Sequence, residues 1–366
     1  MSRHARIVLG LVAVLCGLTW AIAGRAAVAG ADLPASLSDE EFWKLSQEYS
    51  EGGGTFHSEN YVSNEGRFQL ILPDLISRAR QNGLYLGVGP EQNFTYIANL
   101  HPRMAFIVDI RRGNLQEHLL YKALFEMSAD RAEFLSRLFS RARPAGVGPG
   151  STPQQLFAAY DATPATADRY SANLAAVINW LTKAPHHLAI DKTDRDAIDV
   201  IYKTAFFADG PELGYQLTGQ GRNSIHPTYA ELMSTDDGTG HQRSYLATED
   251  NFQVLKRLET ANLLVPVVGD FGGAKALRAV AKYAREKGAV VSAFYLSNVE
   301  QYLRQDLKTA AFCANVASLP LDGHSTFIRS TANRLGGGGG IQGGLGMFWL
   351  ALGEMQAETA SCAAAR

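Results

Sequence analysis

Two glycine-rich turns and two aspartates stand at spacings that suit a nucleotide-type ligand. Gly87-Val88-Gly89-Pro90-Glu91-Gln92-Asn93 follows the apolar stretch Leu84-Tyr85-Leu86. Asp109 ends the next apolar stretch, Ala105–Val108, 20 residues past Gly89. Glycines at such a turn let a ligand approach the backbone N–H groups that open a helix. A carboxylate at the end of the following strand can accept hydrogen bonds from two ribose hydroxyls. Gly87, Gly89 and Asp109 are therefore candidates for holding a nucleoside. Asp270 ends another apolar stretch, before Gly272-Gly273, and Asn298 lies just past a fourth. These two are candidates for facing a second substrate. Glu65 precedes the first strand and is expected at the same edge.

Each residue also has a plainer reading. A Gly-x-Gly turn often serves only strand-to-helix packing. Asp109 can cap a helix or pair with Arg111 and Arg112, and Asp270 can cap the helix after it. Asn298 lies inside the pattern Ser297-Asn298-Val299-Glu300, which reads as a capping box. The set at its spacing says more than any member.

The elements that must position these residues alternate between strand and helix. Ser38-Asp39-Glu40-Glu41 is a capping box opening a short helix to about Tyr49. A second helix is expected over 64–81. Strand, glycine turn, helix, strand and acid follow over 84–109, which is one βαβ unit. A long helix is expected from about Leu115 to Arg141. Residues 144–250 read as a mostly helical insertion, with helical patterns at 153–160, 167–184 and 193–207. The α/β pattern returns with strands at 263–268 and 289–295, and Thr326-Phe327-Ile328 is a candidate late strand. In a parallel sheet the strand ends share one edge, so the candidate residues converge there. The division expected is 1–31 leader, 32–143 and 251–333 the two parts of a Rossmann-like domain, 144–250 the insertion, and 334–366 a glycine-rich flexible tail.

Composition sets the frame for this reading. Of 366 residues 46% are hydrophobic and 19% charged, a globular balance. Lys plus Arg is 34 and Asp plus Glu 36, so no basic excess points to nucleic acid. Three cysteines exclude a disulfide framework and a four-cysteine zinc site, though Cys313 and Cys362 could pair in an oxidising compartment. The charge is uneven. Residues 1–31 hold Arg3, Arg6 and Arg25 and no acid, and an uncharged run from Ile7 to Gly24 precedes Ala26-Ala27-Val28-Ala29-Gly30-Ala31. That is a basic, apolar and small-residue order typical of a signal peptide. The apolar run of 18 residues is also long enough for a signal-anchor in the inner membrane. Either reading puts the remainder outside the cytoplasm, periplasmic or extracellular, because basic flanks stay inside. The membrane is then met only through residues 7–24, if the segment is uncleaved.

The turn LYLGVGPEQN and the acid Asp109 resemble the first glycine motif and the ribose-binding acid of class I S-adenosylmethionine-dependent methyltransferases. Asp270 stands near that family's fourth-strand motif. The blocks YLGVGPEQNFTYIA, FIVDIRRGN, FEMSADRAEFLSRLFSR, PVVGDFGGAKALRAV, FYLSNVEQYL and STFIRS are similar to a family of uncharacterised, often exported bacterial proteins described as methyltransferase-like. The resemblance covers about 56–330. It implies a Rossmann-like, doubly wound, mainly parallel sheet, with S-adenosylmethionine or a related nucleoside as small-molecule ligand. Departures are visible. Tyr85 replaces the acid two residues before the first glycine. Glu91 holds the third glycine position, where its carboxylate would have to bind the ligand's amino group. The aromatic catalytic tetrapeptide of amino-methylating enzymes is absent.

Two function classes follow: a methyltransferase-type ligand-binding enzyme, or a non-catalytic extracytoplasmic binding or scaffold protein on the same fold. Nucleoside cofactors are cytoplasmic metabolites, so an exported domain would not normally meet them. Other motifs fail on pattern. Gly323-His324-Ser325-Thr326-Phe327 lacks the last glycine of a nucleophile elbow and has no histidine downstream. Gly272-Gly273-Ala274-Lys275 lacks a Walker A core. His186-His187 has no second pair at zinc spacing, so no metal is expected.

Overall fold

A computed structural model of the chain describes residues 32–56, 58–215, 226–332, 341–343 and 348–363. The expected leader, 1–31, lies outside the described residues, as does the glycine run 336–340. Among the described residues no helix is long and apolar enough to cross a membrane.

Helix α1 (Asp39–Tyr49) opens with the expected capping box. Ser38 Oγ accepts from the Glu41 N–H at 3.1 Å, and the Glu41 carboxylate accepts from the Ser38 N–H at 2.8 Å. A single 3-10 turn, Phe68–Ile71, leads into α2 (Leu72–Arg78). This helix is shorter than the expected 64–81. Pro73 has no N–H and suits only a first helical turn, so the α-helix begins at Leu72. Glu65 is thereby left in a loop.

The βαβ unit follows as β1 (Leu84–Gly87), α3 (Gln92–Leu100) and β2 (Met104–Asp109). The long helix expected next is two helices, α4 (Arg112–Met127) and α5 (Arg131–Leu138). Asp130 starts the second by accepting from the Glu133 N–H at 2.7 Å. Then come α6 (Pro153–Asp161), α7 (Ala167–Thr182), α8 (Lys192–Ile201) and α9 (Tyr229–Ser234). Asp194 on α8 holds this region to α4, accepting from Arg112 at 2.7 and 2.6 Å and from Gln116 at 2.7 Å.

Helix α10 (Glu249–Thr260) returns the chain to β3 (Leu264–Val268), α11 (Ala276–Glu286) and β4 (Val291–Ser297). Helices α12 (Val299–Gln305) and α13 (Thr309–Val316) lead to β5 (Thr326–Ala332). The tail, expected to be flexible, instead supplies β6 (Ile341–Gly343), β7 (Phe348–Glu354) and α14 (Met355–Ala363). The run Phe348-Trp349-Leu350 is a strand former, and β7 pairs antiparallel with the whole of β5. A disulfide joins Cys313 on α13 to Cys362 on α14, with Cα atoms 5.8 Å apart.

The sheet runs β3-β2-β1-β4-β5-β7-β6, with β1 to β5 parallel. It is a Rossmann-like α/β fold. Strands β1, β2 and β3 are buried along their whole length, as strands covered on both faces must be. Pro266, which lacks an N–H, is tolerated because β3 is an edge strand, and Ser46 of α1 donates to its carbonyl at 2.7 Å.

Candidate functional site at the strand ends

The strand order reverses between β1 and β4, and open α/β sheets bind ligands outside the carboxyl ends of the strands at such a switch point. A cavity of about 330 Å³ is found there. Its walls include Gly89 and Pro90 after β1, Asp109 and Arg111 at β2, Asp270 and Phe271 after β3, and Ser297 and Asn298 at β4. The segment after α1 crosses the same edge, with the Gly54 N–H donating to the Ile110 carbonyl at 2.8 Å. Phe56 from this segment meets Tyr302 of α12 edge to face at 5.0 Å, and both line the cavity. The size suits a small organic molecule.

The residues of the first turn separate into different roles. Gly89 has φ +77° and open space where a side chain would stand. Its backbone is free for close approach. Gly87 does not line the cavity, and a Cβ there would strike Asn93 and crowd Tyr85. Asn93 donates to the carbonyls of Val88, Gly89 and Pro90 at 2.9, 3.2 and 2.8 Å, and Tyr85 donates to Asn93 at 2.9 Å. Gly87 therefore serves packing of the turn and not ligand contact. Glu91 also departs from its expected place. It is fully buried, points inward, and accepts from the Ser63 N–H at 3.3 Å. Burial pushes its carboxyl up to about 8. It does not face the cavity and is not positioned for a ligand's amino group.

Asp109 lines the cavity but is already engaged. Its Oδ1 accepts from the Arg111 backbone N–H at 2.8 Å and Nε at 3.1 Å, and its Oδ2 accepts from Nη2 at 3.0 Å. A carboxylate has about four acceptor positions, so roughly one remains on Oδ2 for a ribose hydroxyl. The residues thus fit a nucleoside through Gly89 and the free position of Asp109, and less fully than the spacing suggests. Arg112, the other candidate partner, turns away to Asp194.

Asp270 lines the cavity too, while its Oδ1 accepts from the Gly272 N–H at 2.8 Å and its Oδ2 from Lys308 at 2.6 Å. It holds its own turn rather than capping α11. Asn298 lines the cavity without capping α12 by its side chain. The expected capping box at 297–300 does not form. The Glu300 carboxylate goes to Arg329 at 2.8 Å, and the Ser297 hydroxyl goes elsewhere.

That hydroxyl donates to Glu65 Oε1 at 2.9 Å. Glu65 is buried behind the cavity wall. It also accepts from Tyr295 at 3.1 Å and, through Oε2, from Gln92 at 2.6 Å. Ser297, Tyr295 and Gln92 all line the cavity, so Glu65 reaches it only through them. Burial raises its carboxyl above the usual range, against the hydrogen bonds from Gln92 and Ser297. Ser297 has φ +48°, and the β4–β5 register is irregular between Tyr295 and Ser297. Strained residues and bulges of this kind gather at functional sites. The sequence pattern Ser-x-x-Glu gave no sign of this role, because a helix cap has the same spelling.

The remaining candidates are structural. Ser325 is buried and donates to the Val291 carbonyl at 2.7 Å. His186 lies between Asp39, at 2.7 Å, and Glu126. Among the described residues no three His, Cys, Asp or Glu side chains are grouped to hold a metal ion.

The chain belongs to the family described as "Domain of unknown function (DUF7790)", whose profile matches residues 60–146 and 155–341. These spans take in every strand from β1 to β5 and the whole cavity apart from Thr55 and Phe56. No curated protein matches the chain.

Proposed function

We propose that this is an exported protein whose methyltransferase-like domain binds a small nucleoside-bearing ligand, S-adenosylmethionine or a relative, in the strand-end cavity. One observation carries the reading: the ends of β1 to β4 line a single cavity at the switch point, with Gly89 open and Asp109 in its wall. The strand order supports it as well. The dinucleotide-binding order is 3-2-1-4-5-6, and the five parallel strands here follow its first five places. Bound S-adenosylmethionine would supply an electrophilic methyl group. Gly89 would receive the ligand on its backbone, Asp109 a ribose hydroxyl, and Asp270 and Asn298 would face a second substrate. Export is supported by the basic, acid-free leader and by the Cys313–Cys362 disulfide, since such bonds persist in oxidising compartments.

Titration calorimetry of the full chain with S-adenosylmethionine tests the ligand. Binding that is lost in Asp109→Ala is expected. Absence of heat with the wild-type protein, or equal binding to the variant, rules the reading out. Reporter fusions after residue 40 test the location, with activity expected only outside the cytoplasm.

A second reading has its own support. Arg111 holds both oxygens of Asp109, and Asn93 covers Gly87. A non-catalytic binding or scaffold protein would keep the sheet while its nucleoside contacts closed in this way.

A further inference from the structure

A reaction that needs no cytoplasmic cofactor would suit an exported cavity, and one pair of residues has the geometry for it. Ser297 ends β4 and is separated from α12 by Asn298 alone, with φ +48° at the turn. Ser297 is half-buried there, at the carboxyl end of the sheet. It lines the cavity, and its hydroxyl donates to Glu65 at 2.9 Å. Glu65 is itself held in place, by Tyr295 at 3.1 Å and Gln92 at 2.6 Å. Nucleophile, base and orienting groups are in the relation that covalent catalysis requires.

We propose that Ser297 is a nucleophile activated by Glu65, and that the cavity takes a small carboxylic ester and hydrolyses it with water as the only co-reactant. The Ser297 oxygen forms a bond to the ester carbonyl carbon while its proton passes to the Glu65 carboxylate. The carbon–alkoxy bond then breaks, and the departing alkoxide takes that proton to leave as the alcohol. Water attacks the acyl-serine, giving its proton to Glu65, and the carbon–Oγ bond breaks as Ser297 recovers the proton. The acid leaves, and no oxidant, reductant or cofactor is consumed. A base works best when its pKa lies near the operating pH, and burial moves Glu65 in that direction. The Asn298 amide, next in the chain and lining the same cavity, is assigned here as a donor to the oxyanion. Val299, Leu303 and Phe271 offer apolar wall for the acyl group.

This inference does not rest on the nucleoside reading, and its test uses no nucleoside. The full chain is treated with an alkyl fluorophosphonate, which bonds to an activated serine and releases fluoride. The expected result is one phosphonyl group per chain, mapped to the peptide holding Ser297. Three variants sharpen it. Ser297→Gly is expected to take no label while remaining folded, since glycine accepts φ +48°. Glu65→Gln is expected to slow labelling about 100-fold or more, the lower end of what a positioned base contributes. Glu65→Asp keeps the charge but withdraws it by one methylene, and is expected to slow labelling as well while remaining folded. No adduct on Ser297 in the wild-type chain overturns the proposal. So does labelling of folded Glu65 variants at the wild-type rate.

Discussion

After β1 the chain turns through Gly89 with open space above it, whereas after β3 it turns through Gly269 and Gly273 against packed neighbours. The two turns read alike, a strand followed by glycines and a helix. At the second, the Glu51 carboxylate accepts from the Asp270 N–H at 3.2 Å and the Ala276 N–H at 3.5 Å. It sits at the positive end of α11, where an anionic ligand would otherwise go. At the first turn the carboxylate facing the backbone N–H groups is the turn's own Glu91, buried away from the cavity, and Gly89 stays open. A residue from a distant segment thus fills the second turn, whereas the first turn is closed at its helix end by its own residue. The two aspartates differ in the same sense. Asp109 and Arg111 are 6% and 10% exposed, whereas Asp270 and Lys308 are 20% and 42% exposed.

The largest consequence concerns these ion pairs. Removing one partner of a buried pair leaves an uncompensated charge and costs about 3–5 kcal/mol. An exposed pair contributes about 0–1 kcal/mol. Arg111→Ala is therefore expected to lower stability to urea severalfold more than Lys308→Ala. Equal losses in the two variants would break the contrast between the turns.

The fifth position of each turn gives a second, pH-dependent contrast. Glu91 stands where the other turn has Gly273. Burial holds its folded-state pKa at about 8, above the unfolded value of 4.5. A group raised in this way favours folding in its protonated form. Its contribution is complete below about 4.5 and is lost as the pH rises through about 8, at up to about 1.4 kcal/mol per pH unit. Glu91→Gln cannot ionise and is expected to flatten the decline in stability between these limits. Urea denaturation across pH 4 to 9 measures it, and parallel curves for the two proteins would remove Glu91 from the comparison.

Alanine at the glycines themselves sharpens the contrast further. At Gly269 a methyl group would strike Ala276 and crowd Val108 at 3.2 Å, with an overpacking cost of about 1–3 kcal/mol. At Gly89 there is room, and only the left-handed backbone costs, about 1 kcal/mol. Gly89→Ala is expected to weaken ligand binding more than it weakens the fold, and Gly269→Ala the reverse. Calorimetry beside urea denaturation distinguishes the two.

What was legible in the chain follows from these cases. Gly89, Asp109, Asp270 and Asn298 could be placed together because each comes directly after an apolar run, and a parallel sheet brings strand ends to one edge. Gly87 could not be assigned to packing from its type, because that depends on Asn93 folding back over the turn. Ser297 was hidden by a cap pattern whose two members are diverted to Glu65 and Arg329. Strand β7 was masked by the neighbouring glycines, although Phe348-Trp349-Leu350 carries the strand signal. Long-range partners, not local propensity, decided each of these.

The smallest expected effect tests whether Glu51 alone closes the second turn. Its carboxylate interacts with the N-terminus of α11, a contribution of about 0.3–1 kcal/mol. Glu51→Ala should lose about that much and leave the Asp270 and Ala276 N–H groups without the carboxylate that serves them. An added anion could then take its place. Sulfate is expected to restore stability to the variant beyond its general effect on the wild-type chain, with chloride at matched ionic strength as control. Equal responses of the two proteins to sulfate would mean that the turn stays shut without Glu51. In that event the packing of Gly269 against Ala276, rather than the carboxylate, separates the two turns.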